Sequence, residues 1–186
     1  MKPVDAAGDF LDVLVTKDQI NERLAELAKQ IENDYQNKNV LLVGVLKGAV
    51  MLMADLSRQL SFSVEMDWMA VSSYGKGTTS SGVVRILKDL DADIANRHVL
   101  ILEDIVDSGL TLSWLVQNLR ARQPASLEVF ALLRKPEAIQ VHVDVKYVGF
   151  DIPPDFVVGY GLDYAEGYRN LDSVATLNPA VYSERP

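Results

Sequence analysis

VLILEDIVDSGLT, residues 99–111, decides the fold. Val99–Leu102 is a short unbroken apolar run, the pattern of a strand buried on both faces. It is followed by two acids, Glu103 and Asp104, and by Ile105 and Val106. Asp107-Ser108-Gly109-Leu110-Thr111 then turns into a helix expected over Leu112–Leu119. Gly109 permits a tight turn in which successive N–H groups converge on one anion. Ser108 and Thr111 add hydroxyl donors, and the helix start adds its positive dipole end. The unit reads as a phosphate cradle without a lysine. Adjacent acids beside a phosphate repel it unless ribose hydroxyls, or Mg²⁺ shared with sugar and pyrophosphate oxygens, lie between. A phosphorylated sugar is therefore the expected ligand. Taken singly, Asp107 reads equally as a helix N-cap and Glu103-Asp104 as a solvated loop start; their order after a buried strand favours the site. The rival nucleotide motifs G-x-x-x-x-G-K-[ST] and G-x-G-x-x-G are absent from the chain.

Outward from this unit, strands and helices alternate, which predicts an α/β fold with a mostly parallel central sheet. Ligands of such sheets bind outside the carboxyl ends of the strands. Upstream, Thr16-Lys17-Asp18-Gln19 reads as a capping box opening an amphipathic helix on Ile20, Leu24, Leu27, Ala28 and Ile31. Val40–Leu46 is a second buried strand, and Ala49, Leu52, Met53, Leu56 and Leu60 form the next helical stripe. Val64, Met66, Trp68 and Ala70 alternate with other residues in a further strand. Ser72–Gly82, SSYGKGTTSSG, is too polar to build a core and reads as a mobile loop, returning as a strand at Val83–Leu87. Further strands are expected at Leu127–Leu133, Val145–Phe150, Phe156–Val158 and Val174–Leu177. The first 12 or so residues read as a loose lead-in.

Composition sets outer limits. A chain of 186 residues, 48% apolar and 24% charged, suits one ordinary soluble domain. A net charge of −8 without a Lys/Arg cluster argues against a nucleic-acid surface. No run nears the roughly 20 apolar residues that span a bilayer, so no membrane association is expected. Cysteine is absent, which excludes disulfides and thiolate metal sites. The N-terminus shows no signal-peptide pattern, and a cytoplasmic protein is expected. His98 and His142, the only histidines, match no metal-ligand spacing.

Residues 99–111 resemble the phosphoribosyl-pyrophosphate motif of type I phosphoribosyltransferases. VLKGAV (45–50), SSYG (72–75), LLRKP (132–136) and FVVGYGLDY (156–164) narrow the resemblance to the bacterial kind of hypoxanthine-guanine phosphoribosyltransferase. The match runs from about Thr16 to Leu177. It implies one phosphoribosyltransferase domain over 1–186, with helices flanking the sheet, a small hood, and a flexible flap over 72–87. It also implies a purine-salvage enzyme joining hypoxanthine or guanine to 5-phosphoribosyl-1-pyrophosphate, with Mg²⁺ as cofactor and a homodimer or homotetramer as assembly.

By the same resemblance, Glu103 and Asp104 contact the ribose hydroxyls and one Mg²⁺, and Asp163 helps to hold a second. Asp107 is the general base at purine N7. Asp107, Ser108, Gly109, Leu110 and Thr111 hold the 5′-phosphate. Lys47 and Gly48 form the pyrophosphate loop, with a cis peptide at Leu46-Lys47, and Arg169 clamps the same group. Lys135 donates to the purine O6, Phe156 stacks on the base, and Ile105 lines its other side. The Val157 carbonyl accepts from N1–H and from the 2-amino group of guanine, which disfavours xanthine. Ser73 and Tyr74 belong to the closing flap. Arg134 stands where many relatives carry an acid, and Gly167 where a larger residue is frequent. Two rivals accompany this reading: an RNA-binding regulator on the same fold, and a phosphoribosyltransferase for another base.

Overall fold

A computed structural model describes residues 8–74 and 83–183; Gly75–Gly82, the body of the expected flap, lies outside the described residues. The elements are β1 (Phe10–Val15), α1 (Lys17–Asp34), β2 (Val40–Leu46), α2 (Val50–Gln59), β3 (Glu65–Tyr74) and β4 (Val83–Lys88). They continue with β5 (His98–Val106), α3 (Leu110–Arg120), β6 (Ser126–Arg134), β7 (Tyr147–Asp151), β8 (Val157–Val158), β9 (Val174–Leu177) and α4 (Pro179–Ser183). Six strands form the main sheet in the order β4-β3-β2-β5-β6-β7. All its pairings are parallel except β3 with β4, the antiparallel edge pair. The expected α/β architecture, a mostly parallel sheet flanked by helices, is the one observed.

Successive side chains of a strand face opposite sides, so a two-sided sheet needs two cores. On β5, Leu100 and Leu102 join Leu24, Ile31, Leu52 and Leu56 of α1 and α2. Val99 and Ile101 join Leu112, Leu115 and Leu119 of α3 on the other face. The capping box opens α1 as expected: Gln19 N–H donates to Thr16 Oγ1 at 3.3 Å, and Thr16 N–H to Gln19 Oε1 at 2.9 Å.

Three local features correct or refine the expectations. The lead-in is not loose from Phe10 onward: β1 pairs antiparallel with β9, giving a separate sheet of order β1-β9-β8 built from both ends of the chain. On β3 the buried positions are Asp67 and Met69, whereas Met66 is 53% exposed. Trp68 still packs on the α1/α2 core, so the strand is two-sided. Finally, β5 does not stop at Leu102 but runs through both acids to Val106, because its pairing with β6 continues to Val106↔Arg134.

Candidate active site

The carboxyl ends of β2, β5 and β6 lie side by side, and each delivers residues to one place. Within β5, Glu103 and Asp104 are consecutive residues near the carboxyl end of the strand. Glu103 is only 7% exposed. Burial, and then the charge of Asp104, raise its carboxyl well above the usual range. Burial likewise raises Asp104, partly offset by the N–H groups of Ile105 and Asp104 and by Arg169. Asp104 Oδ1 accepts from Ile105 N–H at 2.8 Å.

Asp104 also explains the glycine at the end of β2. A Cβ on Gly48 would fall 1.5 Å from Asp104 Oδ2, and one on Gly161 would fall 2.0 Å from the Gly48 carbonyl oxygen. The Lys47-Gly48 loop is thus fitted between the β5 acid and the turn at residue 161, and only glycine fits there. The peptide bond Leu46-Lys47 is cis, as the resemblance implied.

Beyond Val106 the chain turns at Gly109, whose φ of +80° lies in the left-handed region that glycine tolerates. A side chain there would also strike the Val141 carbonyl oxygen at 2.2 Å. The Ser108 carbonyl accepts from Gln140 and Val141 N–H at 3.0 and 3.1 Å, pinning the loop from behind. Leu110 N–H donates to Ser108 Oγ at 3.4 Å. The next N–H groups in the first turn of α3, Thr111 included, have no acceptor within the helix and point where an anion can be bound.

Lys135 follows β6 and is not a surface charge, being 7% exposed. Its backbone N–H donates to the Val106 carbonyl at 2.9 Å and its ammonium to Asp107 Oδ2 at 3.0 Å. Beside it, the Arg134 guanidinium grips both oxygens of Asp151 at 2.7 and 2.9 Å, tying β6 to β7. Phe156 is 41% exposed and sits among rings: Tyr164 edge-on at 5.9 Å and Tyr182 of α4 at 5.3 Å. Val157 is buried on edge strand β8. Because the Phe156 carbonyl accepts from Leu177 N–H of β9, alternation along the strand turns the Val157 carbonyl to the open edge. Ile105 is half-buried and packs on the α1/α2 core. Ser73 and Tyr74 end β3, opposite Val84 and Val83.

A second group of charges faces the Lys47 loop. Arg169 donates to Asp163 Oδ1 at 2.8 Å and to the Gly161 carbonyl at 2.8 Å. Asp163 Oδ2 accepts from Glu166 N–H at 2.9 Å. The turn is strained, with positive φ at Ala165, Glu166 and Tyr168, none of them glycine. A Cβ on Gly167 would fall 3.3 Å from the Tyr164 carbonyl oxygen, a tight contact that a small shift of the turn would relieve.

The sequence reading had not weighed Glu166 or Tyr182. YAEGYR held an acid three residues before Arg169, a spacing that pairs charges only once the turn is known; Tyr182 carried no local signal. His98 is remote, at the opposite end of β5, with Nδ1 2.8 Å from Ser126 Oγ. No three acidic or histidine side chains among the described residues converge to hold a metal by themselves.

A model of the phosphoribosyl transferase domain matches residues 15–165. The chain belongs to the hypoxanthine-guanine phosphoribosyltransferase family. It is 58% identical over 181 residues to the hypoxanthine-guanine phosphoribosyltransferase of Mycobacterium tuberculosis, covering 94% of this chain and 90% of the relative. The Bacillus subtilis protein of that name is 48% identical, covering 94% of this chain and 97% of the relative. A solved hypoxanthine phosphoribosyltransferase from Staphylococcus aureus superposes with a TM-score of 0.93 at 44% identity, covering 98% of this chain and 99% of the other. The members of this family are phosphoribosyltransferases, and the fold described above is theirs. Among the described residues, no helix is long and apolar enough to cross a membrane.

Proposed function

We propose that the chain transfers the 5-phosphoribosyl group of 5-phosphoribosyl-1-pyrophosphate to hypoxanthine or guanine, giving IMP or GMP and pyrophosphate. One observation carries the base specificity: buried Lys135 lies 3.0 Å from Asp107. O6 and N7 are neighbouring atoms on one edge of a 6-oxopurine, and these two side chains are spaced to meet them together. The ammonium donates to O6, and the carboxylate accepts the N7 proton as the glycosidic bond forms. Each satisfies the other across that contact. Adenine presents a 6-amino donor to a lysine that cannot accept, which leaves a buried ammonium unpaired. Phe156 stacks on the base, Ile105 lines its other side, and the Val157 carbonyl at the open strand edge receives N1–H and the guanine amino group.

The donor lies across the three strand ends. Asp107 to Thr111 hold its 5′-phosphate, Glu103 and Asp104 its ribose hydroxyls, and Lys47, Gly48 and Arg169 its pyrophosphate. Ser73 and Tyr74 close over it. The donor set for a metal is oxygen only, which suits Mg²⁺. Glu103 and Asp104 would hold one such ion and Asp163 would help to hold a second, each together with substrate oxygens, consistent with the lack of an all-protein cage among the described residues. Bound there, Mg²⁺ neutralises charge developing on the leaving pyrophosphate. Cytoplasmic placement and a homodimer or homotetramer belong to the same proposal.

Steady-state assays with Mg²⁺ and four bases test it: hypoxanthine and guanine turn over, while adenine and xanthine do so poorly. Strong adenine turnover would remove Lys135 from its role, and strong xanthine turnover would remove the Val157 carbonyl from its own. Asp107→Asn should lower turnover by about 10²–10⁴-fold with little change in donor affinity; weaker donor binding at unchanged turnover would dismiss the general base.

A further inference from the structure

Lys47 and Arg169, the two cations proposed for pyrophosphate, come from distant parts of the chain and already share an anion. Lys47 Nζ lies 3.0 Å from Glu166 Oε2, and an Arg169 terminal nitrogen lies 3.4 Å from that same oxygen. One carboxylate oxygen therefore bridges both cations. We infer that Glu166 is an internal competitor for the pyrophosphate group, its carboxylate standing between Lys47 and Arg169 where a pyrophosphate oxygen would stand. The inference rests on the reading of those two cations given above.

The contact is built to be exchanged. The Glu166 and Lys47 side chains are both largely exposed, so their pair is weak and a multiply charged anion outcompetes it. Release of the carboxylate leaves the turn intact. The Glu166 backbone N–H, not its side chain, anchors Asp163, and Asp163 in turn keeps Arg169 in place. Between turnovers the carboxylate holds two mutually repelling cations together. On binding it must swing out, which lowers pyrophosphate affinity, and on return it helps to expel the product.

Calorimetric titration of inorganic pyrophosphate with MgCl₂ into the wild type, Glu166→Gln and Glu166→Ala tests this. Both variants should bind pyrophosphate about two- to fivefold more tightly, the range an exposed ion pair contributes. Unchanged or weaker binding in the variants overturns the inference. So does tightening in Glu166→Gln alone, which would trace to the new amide donor. Failure of the wild type to bind pyrophosphate overturns it as well, together with the roles of Lys47 and Arg169. The purine assay is separate: a wild type that binds pyrophosphate but transfers to no purine rejects the proposed reaction and leaves the titration standing.

Discussion

Asp67 on β3 and the Glu103–Asp104 pair on β5 are acids that strands of one sheet carry out of water, and the fold treats them oppositely. Asp67 is 6% exposed. Its Oδ2 accepts from Asp91 and Ala92 N–H at 2.8 and 3.0 Å, and its Oδ1 from Trp68 N–H at 2.7 Å. Burial pulls its pKa upward, but these donors and Lys88 outweigh burial and hold it below the usual range. Glu103 and Asp104 are pushed the other way, by burial and by each other's or Asp163's charge. A buried acid surrounded by the fold's own donors is structural. Two consecutive acids at a strand end, one buried and one partly buried, have fewer such donors, and the proposed function gives them sugar hydroxyls and a cation as partners.

The largest effect should come from the β5 pair. Glu103→Gln keeps the shape and removes a charge that burial disfavours. Purine transfer should fall by at least about 10²-fold, while the ligand-free protein melts at a higher temperature. The pH dependence carries the sign. Because the folded pKa of Glu103 is raised, the contribution of this group to stability is fully present below the unfolded value of about 4.3 and is lost as pH rises through the folded one. The advantage of the variant is therefore absent in acid and greatest near neutrality. Full activity with no gain in melting temperature would erase the distinction between the two acid sites.

Asp67→Asn should do the converse. Losing a charged acceptor for three N–H groups costs about 1–3 kcal/mol, or a few degrees of melting temperature in a chain of this size. Transfer at 25 °C should stay within about twofold of wild type by the same logic, since no substrate contact is assigned to it. Asp67 has a depressed folded pKa, so its contribution is present above the unfolded value of about 3.9 and is lost as pH falls through the folded one. Wild type and variant should converge in acid.

The contrast also marks what the sequence discloses. The β5–α3 unit was legible because strand, acids, Gly109 and Thr111 are contiguous, and a phosphate cradle is local chemistry. The stripes of α1, α2 and α3 were legible because burial repeats with the helical turn. Asp67 was invisible: its donors come from 91–92, and an acid among Met66, Trp68 and Met69 looks outward until those N–H groups are known. β1 was missed for a related reason. Its partner β9 lies at the far end of the chain, and its Leu11 and Val13 are exposed, so no alternation of the expected kind marks it. Glu166 and Tyr182 are placed by contacts with residues outside their own motifs, whereas Lys135 was marked as a candidate by its motif and only its burial needed the fold.

The smallest effect separates the two kinds of donor around Asp67. Lys88 Nζ is 3.6 Å from Asp67 Oδ1, beyond ordinary hydrogen-bond length, and its side chain is partly in water. The same ammonium donates to the Trp68 and Asp89 carbonyls at 3.1 and 2.9 Å and to Asp91 Oδ2 at 3.1 Å, so its hydrogen bonding is spent on partners other than Asp67. If backbone N–H groups are what keep Asp67 ionised, Lys88→Met should cost no more than about 1 kcal/mol, the range of a solvent-facing pair. Its acid unfolding should keep the wild-type shape. If the lysine is the chief partner, Lys88→Met should match Asp67→Asn in melting temperature and flatten the acid limb equally. That result would make Asp67 half of an ion pair rather than an acid solvated by the chain itself, and burial with dedicated N–H donors would no longer distinguish it from Glu103 and Asp104.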